Sequence, residues 1–276
     1  MVSFSATHDR TWRLSIALRK THRNFSRSIL SIPFPTQDGI AAMRHLLTLL
    51  ALSMSTYALA DEAAVRAAVA KLAPAAKIDS IKPAPMADWS EVALGTRIVY
   101  VSNDGVHLMN GNLYAAAEQK DLTEASQSTL RASTIKKLPD IAKISFSPAK
   151  PDSRVTVFTA IDCGFCRELH KHMDGYHERG IAVDYVVIPR HPPGTPMDIA
   201  TRQLYCETDA QNAFVAALEN RIKDKATCEG KGYDAGTAMA QTLGIQSTPT
   251  VVFSDGSLGS GFLTPEQMAE RVAAAQ

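Results

Sequence analysis

The sequence predicts an α+β protein in two parts: a small N-terminal antiparallel β domain, and a C-terminal α/β domain joined to it by a linker helix. Three observations predict this. Short β-rich runs between residues 97 and 115 are punctuated by turn signals. Residues 122–138 contain neither Gly nor Pro. From Arg154 onward, apolar strand-like runs alternate with helical stretches. With 276 residues, 45% hydrophobic and 21% charged, the chain is long enough for about two domains with ordinary cores.

The first sixty residues read as a leader. Met43-Arg44-His45 is a short basic start, and Leu46 to Leu52 is an apolar run too short to span a bilayer. The run ends in Ala58-Leu59-Ala60, a small-x-small cleavage pattern, so the expected cut lies after Ala60 and the mature protein is exported and soluble. Residues 1–42 are Arg- and Ser-rich and add nothing to this signal. They read as an over-extended start with Met43 as initiator, in preference to an organelle transit peptide.

The elements of the mature chain follow in order. Residues 61–71 place Val65, Val69 and Leu72 on one helical face. Arg97–Val101 is a strand, Asn103-Asp104-Gly105 a turn, Val106–Met109 a strand, Asn110-Gly111-Asn112 a turn and Leu113–Ala115 a strand. Residues 61–121 are too few to bury a sufficient core alone, so a second copy is expected to supply the missing burial. Asp121 and Glu124 have capping-box spacing, and the linker region 122–147 begins as one helix stopped at Pro139, a semi-rigid spacer. The last domain, 148–276, runs strand (155–159), helix (163–176), strand (181–188), a helical block (197–243) and strand (250–253). It closes with the Asp255-Gly256 turn, a short strand, and a helix capped by Thr264-Pro265-Glu266-Gln267. Trp89, Tyr100, Tyr114 and Tyr185 read as packing residues.

Charge excludes one class of function. The leader holds seven of the basic residues and two of the acids, leaving 22 Lys/Arg and 26 Asp/Glu, a net charge of −4, in residues 61–276. Such a body offers no electrostatic footprint for nucleic acid.

Chemistry concentrates in the cysteines, all four of which lie beyond residue 160. Cys163-Gly164-Phe165-Cys166 follows a strand directly and opens a helix. There the unpaired N–H groups and helix dipole favour a thiolate at Cys163, the form that attacks disulfides. Cys166, one turn on, reaches back to Cys163 and resolves the mixed disulfide. Gly164 permits close approach of a partner backbone, and Phe165 tunes the dipeptide. Zinc is the competing reading, with His170 and His172 as further ligands, but they converge poorly with Cys163 and read as solvated helix residues; no metal is expected. Thr248-Pro249 before the strand Thr250–Phe253 fits a cis-proline, in preference to an ordinary trans-proline at a strand start; in a thioredoxin-like fold such a proline would face the CxxC pair and expose backbone groups to an extended substrate. Cys206 and Cys228 read as a structural disulfide pinning the helical block, worth ~3 kcal/mol in the chain-entropy model, in preference to a second redox pair.

Taken together, Val157–His170, Gly244–Phe253, the Cys206/Cys228 spacing and the meander Ile98–Tyr114 resemble the DsbC/DsbG family of periplasmic thiol–disulfide isomerases, across residues 61–276. The resemblance implies a C-terminal thioredoxin-like domain with a helical insert, and an N-terminal domain that makes a V-shaped homodimer. It implies a periplasmic location and chaperone-like binding of misfolded disulfide-containing proteins. It also implies a membrane electron donor of the DsbD type that keeps Cys163 and Cys166 reduced. No cofactor is called for. Thr248 agrees with DsbC and DsbG rather than with DsbA-type oxidases, which typically place Val there. Phe165 departs from the usual Tyr, and the Gly-Phe dipeptide favours DsbC over DsbG, which usually carries Pro-Tyr. Two alternatives to an isomerase are a DsbG-like reductase of sulfenylated cysteines and a non-catalytic chaperone.

Overall fold

The computed structural model describes residues 61–221 and 229–276. The leader reading, and Cys228, lie outside the described residues. The chain first forms helix α1 (61–72) and an antiparallel sheet in the order β1-β2-β3-β4, from Ser80–Pro83, Trp89–Leu94, Arg97–Ser102 and Leu108–Met109. Successive side chains of a strand point to opposite faces, and that alternation sorts the packing. Val92, Val99 and Val101 meet Val65, Ala68 and Val69 of α1 on one face. Ala93, Ile98 and Tyr100 pack on the other face, where Leu130 of helix α2 (Leu122–Ile135) joins them.

The expected strand Val106–Met109 is shortened to β4. The Asp104 carboxylate accepts from Val106 N–H at 2.9 Å and Ser102 Oγ from His107 N–H at 2.9 Å, so these donors close the turn instead of extending the ladder. Gly105 at the tip has φ +71°, and a Cβ there would stand 2.6 Å from the Ala64 carbonyl oxygen of α1. The run after Asn112 does not continue the meander. Tyr114–Ala115 (β5) pairs with Lys120–Asp121 (β6), because Leu113 is held by the Thr123 hydroxyl and the Leu122 N–H at the start of α2. Tyr114 is accordingly exposed, whereas Tyr100 and Tyr185 are fully buried.

Asp121 caps α2 by accepting from Glu124 N–H. The helix ends at Ile135, short of the expected Leu138. Pro139 disfavours the helical region for the residue before it, and Lys137 and Leu138 N–H bond three residues back to Thr134 and Ile135. A 3₁₀ turn, Asp140–Ala142, follows. Helix α2 is packed, not merely a spacer. Arg131, 4% exposed, donates from Nε to the Gly256 carbonyl at 2.8 Å and is paired with Glu124. Gly256 has φ +82° and fits closely beneath Ser128.

The C-terminal sheet runs β11-β10-β8-β9-β7, from Leu258–Ser260, Thr250–Val252, Ser153–Thr159, Ile181–Val187 and Ile144–Phe146. β8 and β9 are parallel, with Thr159 opposite Val187; the other pairs are antiparallel. Odd-numbered residues (Val155, Val157, Ile181, Val183, Tyr185, Val251) build the larger core with Leu169, Tyr176, Phe214 and Met268. Even-numbered Phe158, Val186 and Val252 pack on the other face with Ala240 and Leu243. Coverage on both faces explains why β9 is buried along its whole length, as its continuous apolar pattern predicts. The helices are α3 (Gly164–Lys171), α4 (Met173–His177), α5 (Pro196–Leu204), α6 (Ala210–Leu218), α7 (Lys231–Thr242) and α8 (Pro265–Ala274). The single helix expected over 163–176 is broken at His172, the C-cap of α3 and N-cap of α4. Thr264 and Gln267 make the expected reciprocal capping box on α8. Among the described residues, no helix is long and apolar enough to cross a membrane.

Candidate active site

The site forms at the carboxyl ends of the parallel strands. β8 ends at Thr159, Ala160 and Ile161 turn inward, and Cys163 becomes the N-cap of α3, its sulfur accepting from Cys166 N–H at 3.4 Å. Both cysteines are free thiols. The loop before β10 closes over them: the Thr248–Pro249 bond is cis, and the Cys163 thiol donates to the Thr248 carbonyl at 3.3 Å. The geometry thus brings together Cys163, Gly164, Phe165, Cys166, Thr248 and Pro249, all six predicted from sequence.

Cys163 is only 5% exposed, its thiol lying against the Thr248 carbonyl. The exposed residues of the motif are Gly164 and Phe165, the latter 68% exposed. An approaching molecule therefore meets an apolar ring and a glycine backbone before it reaches the sulfur.

The two sulfurs differ electrostatically. For Cys163, burial opposes ionisation. Hydrogen bonds from Cys166, the Thr248 side chain and Cys166 N–H, with the Arg190 charge, overcome it and hold the thiol below its usual range. Burial pushes the Cys166 thiol up to about 11, reinforced by its hydrogen bond with Cys163 and tempered by Thr159. Thr159 Oγ1 and Thr248 Oγ1 are buried and complete no other hydrogen bond. The sulfurs are their available partners.

His170 is not solvated, contrary to the sequence reading. Its ring packs edge-on against Phe146 and Phe214, with centroids 5.0 and 5.5 Å away, and its Nδ1 lies 3.4 Å from the Tyr185 hydroxyl. Burial lowers its pKa. The i+4 position after Cys166 continues the buried stripe of α3, a periodicity that could have signalled this. His172 stacks on Phe262 and faces Glu168 at 3.4 Å. Cys206 is disulfide-bonded; its expected partner, Cys228, lies outside the described residues.

Sequence reasoning missed three ionisable residues beside the motif. Asp162 precedes Cys163 and faces Arg190 and His191 of the segment after β9. Nothing local signals this cluster. It exists because β8 and β9 run parallel in register and end at the same edge of the sheet.

Comparison with known proteins decides the family. Residues 56–124 match the disulfide bond isomerase protein N-terminal domain, and residues 143–276 match a thioredoxin-like domain. The thiol:disulfide interchange protein DsbC of Escherichia coli K12 is 31% identical over 82% of this chain and 92% of that protein. The chain belongs to the DsbC family. The Salmonella typhimurium DsbC is 30% identical over 80% of this chain and 91% of that protein. A solved disulfide interchange protein from Neisseria gonorrhoeae covers 49% of this chain and 96% of its own, at 20% identity and a TM-score of 0.43. As a DsbC-family member, with its disulfide isomerase N-terminal domain and thioredoxin-like C-terminal domain, the protein is a thiol–disulfide oxidoreductase of the isomerase type.

Proposed function

We propose that this DsbC-family protein rearranges non-native disulfides of exported proteins in the periplasm, working as a homodimer through its N-terminal domain. The observation that carries the reading is the placement of a free, pKa-lowered Cys163 at the N-cap of α3, beside a free Cys166 with a raised pKa.

Each step balances. The Cys163 thiolate attacks one sulfur of a client disulfide and expels the other as a thiolate, leaving a mixed disulfide. A second client thiolate then attacks the client sulfur bound to Cys163. That closes a new client disulfide and returns Cys163 as a thiolate, with no net oxidation. When the rearrangement stalls, Cys166 loses its proton and attacks Cys163. The client leaves reduced and the enzyme holds a Cys163–Cys166 disulfide. Two electrons from a DsbD-type membrane donor restore the dithiol. The exposed Phe165 ring supports chaperone-like contact with unfolded clients, and the Cys206–Cys228 disulfide holds the helical block.

The test is refolding of a scrambled multi-disulfide protein. Cys163→Ala is expected to abolish rescue, and rescue at the wild-type rate would end the proposal. Thiol trapping in cells should find the pair mostly reduced; a mostly oxidised pair would indicate an oxidase instead.

A further inference from the structure

β8 and β9 leave the sheet at the same rung. Thr159 stands opposite Val187, and Ile188 N–H donates to the Thr159 carbonyl at 2.9 Å. The chain reaches Cys163 four residues beyond Thr159, and Arg190 two residues beyond Ile188. A guanidinium is thereby set at the rim of the site, and it is the charged side chain that acts on the Cys163 sulfur.

That guanidinium is loosely held. The Arg190 side chain is 48% exposed, and among the described residues its only ion pair is with Asp162, Nη1 standing 3.8 Å from Oδ1, beyond hydrogen-bond reach. The other charges nearby are committed. Asp162 is 23% exposed, and its Oδ2 lies 2.7 Å from His191 Nε2. On α3, Arg167 donates to the Leu218 carbonyl and the Asn220 side chain, and Glu168 is engaged by Lys171 and His172. The first turn of α3 has no acid, and the 246–250 loop has no ionisable residue. A molecule that reaches the exposed Gly164 and Phe165 therefore meets a cation with unused donors.

Arginine presents its N–H donors in a planar fork that matches a carboxylate. We propose that Arg190 is a specificity-determining residue for disulfide exchange: its guanidinium receives a client carboxylate, so Cys163 attacks disulfides flanked by Asp or Glu faster than disulfides flanked by Lys or Arg. This inference rests on the exchange reading above, and the chemistry is the same. A bond forms between Cys163 Sγ and one client sulfur, the client S–S bond breaks, and the other client sulfur leaves with the electron pair as a thiolate. Arg190 moves no proton or electron. It raises the share of encounters that bring an anionic client's disulfide to the sulfur.

The test uses three small disulfides of similar size: dithiodipropionate, hydroxyethyl disulfide and cystamine, which at pH 7 are a dianion, a neutral molecule and a dication. The initial rate at which the Cys163 thiol of the reduced protein is consumed is read by mass spectrometry of the acid-quenched peptide. Wild type, Arg190→Gln and Arg190→Lys are compared, and the variant-to-wild-type ratio for each disulfide cancels that disulfide's own reactivity. Arg190→Gln should slow attack on the dianion on the order of 3- to 10-fold more than attack on the neutral disulfide, the effect of one nearby unit charge in a partly solvated site. The dication should be slowed least, and Arg190→Lys should keep most of the wild-type order. Salt at about 1 M, where the Debye length is ~3 Å, should shrink the wild-type preference. Equal slowing of all three disulfides in Arg190→Gln, or wild-type rates that ignore salt for all three, would overturn the inference while leaving Cys163 as the attacking sulfur. No consumption of the wild-type Cys163 thiol by any of the three would overturn the functional reading, and this inference with it.

Discussion

Arg131 ties the linker helix to the strand that carries the Thr248-Pro249 loop, and replacing it should loosen both. Its Nε donates to the Gly256 carbonyl in the turn that follows β10, and β10 begins one residue after Pro249. The perturbation is Arg131→Met, which keeps much of the buried stem and removes the charged donors. A hydrogen bond from a charged donor contributes about 1.5–3 kcal/mol, and the residue is 4% exposed, so water replaces it poorly. The ion pair with Glu124 adds little, because the Glu124 side chain is 43% exposed and rehydrates. The expected loss is about 2 kcal/mol, or roughly 4–8 °C in melting temperature for a chain of this size. Thermal and urea unfolding of the reduced protein measure it, with Glu124→Gln as the comparison, expected to lose under ~1 kcal/mol. If Arg131→Met melts with the wild type, or Glu124→Gln loses as much as Arg131→Met, the reasoning fails.

Two further outcomes follow from the sulfur environments. Thr159→Val keeps the shape but removes the hydroxyl that tempers the raised Cys166 pKa. Mixed disulfides with clients should then persist longer on gels under acid quench; resolution at the wild-type rate would remove Thr159 from the mechanism. The second outcome concerns alkaline pH. Cys166 titrates at about 11 in the fold against about 8.5 in a free cysteine. A raised folded-state pKa gives stability that is full below about pH 8.5 and is lost as the pH rises toward 11. Reduced wild type should lose unfolding free energy across that window more steeply than Cys166→Ala, and parallel slopes would contradict the assignment.

The parts of the fold legible in sequence were those with strong local signals. The Thr264 cap, the Gly105 turn, the apolar run of β9 and the strand-to-helix position of the cysteine motif all rest on neighbours in the chain. The missed strands lacked such signals. β1 contains Pro83 and only one apolar side chain, and β7 has three residues. In β2, Glu91 interrupts the pattern, yet it is 4% exposed because Lys82 and Ser126 each reach it at 3.0 Å. The same limit applies to the site. Cys163, Cys166 and the Thr248-Pro249 loop announce themselves by motif. Asp162, Arg190 and His191 become neighbours only through the β8–β9 register, and His170 is recognised as half-buried only once Phe146 and Phe214 arrive from distant segments.

The two active-site sulfurs differ in acidity, Cys163 held below and Cys166 pushed above the usual thiol range. Site-resolved alkylation of the reduced protein across pH reports it directly. Cys163 should react first, with a midpoint below the ordinary thiol value of about 8.5, while Cys166 stays unmodified until the pH nears 11. Equal reactivity of the two, or a Cys163 midpoint at the ordinary thiol value, would contradict it.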